Sequence, residues 1–117
     1  MSHTKIIREE VKEEETSFSA VYIEMGNARI IFMSEGEDNL GTLAASMPPR
    51  ERFIGPPLSS TLLGDRNTLV ARLLAEHVAH DTKKMALVSV YVRSMDERRS
   101  GPILLRLLEK VMRKGED

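Results

Sequence analysis

The chain has 117 residues, which suits one domain (taken as 1–117) built on a single core. Its 41% hydrophobic and 30% charged residues are those of a soluble globular protein, and a formal net charge of -1 gives no bulk attraction to nucleic acid or an anionic membrane. There is no cysteine, which excludes disulfides and cysteine-based metal or nucleophile sites and fits an intracellular, cytoplasmic protein. The segment Met1 to Lys5 lacks the apolar core of a signal peptide, and no apolar run is long enough to span a bilayer. Charge is nonetheless segregated. Glu9 to Glu15 is acidic, whereas Arg93 to Arg99 and Lys110 to Lys114 lean basic. Such blocks form solvated faces or steer a partner of opposite charge.

Residues 4 to 12 carry only Ile6, Ile7 and Val11 as apolar anchors among charges, and read as a charged edge strand. Residues 17 to 25 alternate as a strand, with Phe18, Ala20 and Tyr22 on one face and Val21, Ile23 and Met25 on the other. Gly26-Asn27 is a two-residue hairpin signal of the kind expected for a primed turn. Residues 28 to 34 return as the partner strand. Ile30 and Phe32 face one way and Arg29, Ile31 and Met33 the other, so the strand is expected to be covered on both sides.

Residues 35 to 39 are a polar turn, and Leu40 to Met47 reads as either a strand or a short helix. Pro48-Pro49 and Pro56-Pro57 bracket a loop carrying Phe53 and Ile54, which either tuck onto the core or stand exposed for a partner. Ser59 to Asp81 reads as strand, sharp turn and helix. Gly64 can take φ > 0 at the turn, and Asp65 or Asn67 can accept a backbone N–H and cap the helix. Met85 to Val92 is almost wholly apolar, and is predicted to be a central strand with both faces covered. Ser100-Gly101-Pro102 then opens a last helix, with Pro102 at its first position. The apolar side chains at 103, 104, 105, 107, 108, 111 and 112 form an arc wider than one core face needs.

Few residues suggest chemistry. His77 and His80 lie three apart on one helix and can chelate an ion, but the spacing is not that of the helix-borne zinc proteases and no third ligand accompanies them. The turn at Gly64-Asp65-Arg66-Asn67 lacks the glycine spacing and lysine of a phosphate loop. Ser59, Ser60 and Thr61 have no neighbouring base to activate a hydroxyl. Two Tyr and three Phe are too few for a base-stacking surface. No catalytic residue, metal or cofactor is assigned.

The run Pro57-Leu58-Ser59-Ser60-Thr61-Leu62-Leu63-Gly64-Asp65, then a helix and Val88-Ser89-Val90-Tyr91, resembles the small proteasome assembly chaperones, the fourth more than the third. Upstream, Ile30-Ile31-Phe32-Met33 and Asn39-Leu40-Gly41-Thr42-Leu43-Ala44-Ala45-Ser46-Met47 are similar to that family's Asn-Leu-Ala-x-Ala-Met type segment. The resemblance covers roughly 17 to 112. It implies an α+β fold of about six mostly antiparallel strands with two helices, one before and one after the last strand, in agreement with the elements read from the residues. It further implies a non-enzymatic, cofactor-free homo- or heterodimer with a related chaperone that binds proteasome α-type subunits and assists α-ring assembly. The Gly115-Glu116-Asp117 ending is not the hydrophobic-Tyr-x tail by which other proteasome-binding proteins dock. The expected subunit interface is Leu104, Leu105, Leu108, Val111 and Met112, and the expected partner contacts are Phe53, Ile54 and Arg66. The alternatives are a dimeric α/β interaction scaffold for trafficking or signalling and, on His77 and His80 alone, a small metal-dependent hydrolase.

Overall fold

The computed structural model describes residues 4–48 and 58–116. In chain order the elements are β1 (Lys5–Glu13), β2 (Thr16–Glu24), β3 (Ala28–Glu35), β4 (Thr42–Ser46), β5 (Ser59–Leu63), α1 (Thr68–Thr82), β6 (Met85–Tyr91) and α2 (Glu97–Gly115). The strands form one sheet in the order β1-β2-β3-β6-β4-β5. Every described pairing is antiparallel except β3 with β6. This is the α+β fold expected, with one helix before and one after the last strand. Residues 42–46 resolve the strand-or-helix alternative as a strand. The charged strand β1 lies at one edge, and apolar β6 lies inside the sheet.

Both N-terminal hairpins form, but the primed turn is not where the dipeptide signal put it. At Gly26-Asn27 the Met25 N–H donates to the Ala28 carbonyl, closing a two-residue loop. The positive φ values that a primed turn requires fall instead at Glu14 (49°) and Glu15 (69°), between β1 and β2. The paired residues Glu13 and Thr16 leave only two residues to reverse the chain there, so both glutamates are forced left-handed. Gly64 does take positive φ (92°), as expected. A Cβ at Gly64 would also meet Thr42 Cα at 2.7 Å.

The helix starts differ from expectation as well. Asn67 is the N-cap of α1, in the left-handed region, but neither it nor Asp65 caps the helix with its side chain. The Asn67 amide donates to the Val92 carbonyl at 3.0 Å, and the Val70 N–H is satisfied by Glu97 of α2 at 2.7 Å. One helix thus supplies the cap of the other, which stands in for the acidic residue α1 lacks in its first turn. Helix α2 begins at Glu97, so Pro102 sits inside it and not at its first position. The reason is a local cap: the Asp96 carboxylate accepts from the Arg99 N–H, and the Asp96 carbonyl accepts from the Ser100 N–H.

Register fixes which residues share a face, because paired positions project to the same side. Phe18, Ala20 and Tyr22 of β2, Ile31 and Met33 of β3, Ala86, Val88 and Val90 of β6 and Ala44 of β4 form one row set, and all are buried. Both helices cover that face. α1 buries Val70, Ala71, Leu74, Ala75, Val78 and Ala79, over β4, β5 and β6. α2 buries Leu104, Leu107, Leu108 and Val111, over β1 and β2. The described residues therefore form two layers, and among them no helix lies on the second face of the sheet.

Candidate functional site

The uncovered face is the candidate site. Across the sheet, Ile6, Ile23, Ile30, Leu87 and Ala45 stand side by side on five consecutive strands. The next row brings together Val21, Phe32, Leu43 and Leu63, with Ser89 between Phe32 and Leu43. The apolar side chains at the centre of these rows are half-buried, and toward the edges Ile6 (66% exposed) and Leu63 (47%) are open. The sequence predicts that β3 and β6 are covered on both sides. Among the described residues both helices lie on the other side, so neither supplies the second cover. Two helices of 15 and 19 residues are both spent on the same face.

The polar end of this face is closed by the turn after β3. The Asp38 carboxylate accepts from the Ser19 hydroxyl at 2.6 Å and from Arg8 Nε at 3.2 Å. The Ser34 hydroxyl exchanges hydrogen bonds with the Asn39 backbone, and the Ser89 hydroxyl accepts from the Gly41 N–H at 2.8 Å. The three serines are buried and satisfied, so the face changes from dry to polar over one row. Arg8 and Ser19 hold the Asp38 carboxyl below its ordinary pKa, which keeps the polar rim charged. Gly41 has no room for a side chain: a Cβ there would overlap the Val90 carbonyl.

The residues expected at a subunit interface divide into two groups. Leu104, Leu108 and Val111 are fully buried against the chain's own sheet. They lie on the side of α2 that packs over β1 and β2. Leu105 is 37% exposed on the outer side, and Met112 is half-buried at its margin. The breadth of the α2 arc has an intramolecular cause: one side meets the sheet and another meets α1.

Of the expected partner contacts, Phe53 and Ile54 lie outside the described residues. Arg66 is exposed in the turn before α1, and its guanidinium donates to the Arg93 carbonyl at 3.2 Å. His77 and His80 both face Asp81, His77 Nε2 at 3.2 Å and His80 Nδ1 at 3.4 Å. Among the described residues no group of three potential ligands is arranged to hold a metal ion. No helix among them is long and apolar enough to cross a membrane.

The residues that make the open face were not singled out from the sequence. The signal was present, because β2 and β3 are apolar on both sides and the described residues hold two helices to cover them.

The sequence matches no protein-family model and no curated protein. The fold, however, matches a chain in the crystal structure of a chaperone complex for yeast 20S proteasome assembly. The TM-score is 0.69 over 97% of this chain and 95% of that chain, with 12% sequence identity. At that identity the likeness is one of fold.

Proposed function

We propose that the chain is a non-enzymatic, cytoplasmic chaperone that binds α-type subunits of the proteasome core particle and assists assembly of their ring, working as a dimer with itself or with a related chain. The observation that carries this reading is the open apolar sheet face, on a fold shared with a proteasome assembly chaperone complex. Six strands about 4.8 Å apart make a face about 24 Å across. Covering it against a second sheet is of the order of the ~800 Å² per partner that a stable interface buries. Two such sheets stack about 10 Å apart with their inner side chains interdigitated. A dimer of this kind keeps its greasy surface inside and turns its helices and loops outward.

The mechanism requires no bond to be made or broken and no cofactor. The dimer holds an α subunit by surface complementarity, raises the local concentration of correctly oriented subunits, and leaves when the ring is complete. Release demands moderate affinity, set mainly through the off-rate.

The test is co-elution in gel filtration of the purified chain with each recombinant proteasome α subunit. Stable comigration with at least one is the expected result. Absence of comigration with every α subunit, alone or mixed, overturns the reading.

A further inference from the structure

The end of the open sheet face farthest from Asp38 carries a row of methionines. Alternation along each strand places Met25 one row beyond Ile23, Met85 one row beyond Leu87 and Met47 one row beyond Ala45, all on the side away from the helices. The backbone joins them. The Met25 N–H donates to the Ala28 carbonyl, and Ala28 pairs with Met85. Ser46 pairs with Ala86, which sets Met47 beside Met85, and the Met47 N–H donates to the Leu58 carbonyl. The row across the end of the face is therefore Met25, Ala28, Met85, Met47 and Leu58.

Met25, Met47 and Met85 are 41%, 56% and 37% exposed. Of the other described methionines, Met33 and Met95 are buried and Met112 is half-buried. The exposed thioethers of the described residues are thus gathered on one row of one face.

A thioether is apolar enough to serve a dry interface and soft enough to adapt to it. Its polarity can also be reversed by a hydroperoxide. A sulfur lone pair attacks one peroxide oxygen, the O–O bond breaks, and a new S–O bond forms. The proton on the transferred oxygen passes to the departing hydroxide. The sulfur gives up two electrons and becomes a sulfoxide, and hydrogen peroxide, reduced by the same two electrons, leaves as water. The sulfoxide oxygen is a hydrogen-bond acceptor, and the side chains of this row, methionine, alanine and leucine, hold no donor for it. Buried in a dry interface, such an unmatched acceptor costs the desolvation of the group.

We propose that Met25, Met47 and Met85 form a peroxide-responsive modification site, and that their oxidation to sulfoxide stops the open face from pairing with a second copy of the chain. This inference rests on the reading of that face as a dimer interface. A two-fold interface uses the same surface of both chains, so each row enters it twice. The unpaired chain is the substrate of the oxidant, because pairing shields the row. Sulfoxide reductases, one for each epimer, restore the thioethers and with them the face.

The test treats the purified full chain with dilute hydrogen peroxide, maps the oxidised methionines by peptide mass spectrometry, and follows association by sedimentation velocity over a concentration series. Met25, Met47 and Met85 are expected to be oxidised before Met33 and Met95, and more slowly at concentrations where the chain is paired. Their oxidation is expected to weaken self-association about a hundredfold or more, with the far-UV spectrum unchanged, and the two reductases together to restore it. A variant with Met25→Leu, Met47→Leu and Met85→Leu keeps volume and apolarity, and is expected to pair as the wild type does and to be indifferent to peroxide. The same three positions changed to Gln are expected to weaken pairing with no oxidant present.

Association that survives sulfoxide at all three positions, or that peroxide still abolishes in the leucine variant, overturns the proposal and leaves the sheet-face dimer standing. A reduced chain that stays single, or whose association Phe32→Glu does not weaken, overturns the proposal together with self-pairing through this face.

Discussion

The Glu9 carboxylate and the Lys114 ammonium sit 2.6 Å apart, joining the edge strand β1 to the last turn of α2. Lys110 reaches the same carboxylate at 3.3 Å, Arg106 meets Glu13 at 2.9 Å, and Arg99 meets Glu14 at 2.6 Å. The acidic block of the N-terminus and the basic block of the C-terminus therefore answer each other inside one molecule. Singly, exposed pairs of this kind contribute about 0–1 kcal/mol. Glu9 differs from the others in exposure, its side chain being only 14% exposed.

Hydrogen bonds from Lys114 and Lys110 hold the Glu9 carboxyl below its ordinary pKa. A carboxylate depressed in the folded state adds stability that is complete above its unfolded pKa, about 4.3, and is lost as pH falls through the lower folded value. Urea midpoints are thus expected to stay level from neutral pH to about 5 and to drop below about 4.3. Glu9→Gln should be less stable at neutral pH and show a shallower acid fall. An acid limb as steep as that of the wild type would show that Glu9 is not the group responsible.

The Glu14-Glu15 turn holds two β-carbon-bearing residues at positive φ, where glycine or asparagine is preferred. Glu15→Gly is expected to raise stability by about 1 kcal/mol, by relieving the left-handed strain. Thermal unfolding checks it, and a lower Tm would mean that the turn is held by something other than the tight hairpin geometry.

At Gly41 the constraint is contact. Gly41→Ala would drive its Cβ into the Val90 carbonyl, which belongs to a strand hydrogen-bonded on both sides and so cannot move away. A loss of about 2 kcal/mol or more is expected, read as a lower urea midpoint with an unchanged m-value.

Phe32 and Leu105 lie on different surfaces. Phe32 is near the centre of the open face and Leu105 is on the outer side of α2. If the open face makes the dimer, Phe32→Glu should weaken self-association or pairing with a related chain by about 2 kcal/mol or more, roughly thirtyfold. Leu105→Glu should leave that association intact. Sedimentation velocity over a concentration series distinguishes the outcomes, and the reverse ranking would return the interface to α2.

What could be read from the residues was mostly what depends on local pattern. Alternation in 17 to 34 placed β2 and β3, the apolar run 85 to 92 announced an interior strand, and Gly64 marked a left-handed turn. What was not legible depended on contacts distant in sequence. Asp65 and Asn67 are good capping residues, yet α1 is capped by Glu97, 27 positions beyond Val70. The α2 arc contains Leu104, Leu108 and Val111, and helical spacing alone cannot say whether such residues meet their own sheet or another chain. The face of Ile23, Ile30 and Phe32 was visible as apolar. Which element covers it is a question of how many helices are available and where they land, and both land on the other side.

Strand β6 lies between β3 and β4, although β3 and β4 are neighbours in the chain. Until residues 85 to 91 have been synthesised, the nascent polypeptide holds a three-strand meander and a separate hairpin with a slot one strand wide between them. Both lips of that slot expose unpaired amides and carbonyls. Pairing such as Ile31 with Val88 closes the sheet late, across about half of the sequence. A truncated or stalled product is therefore itself a sticky species, and the chain needs its own last third before it is safe in a crowded cell.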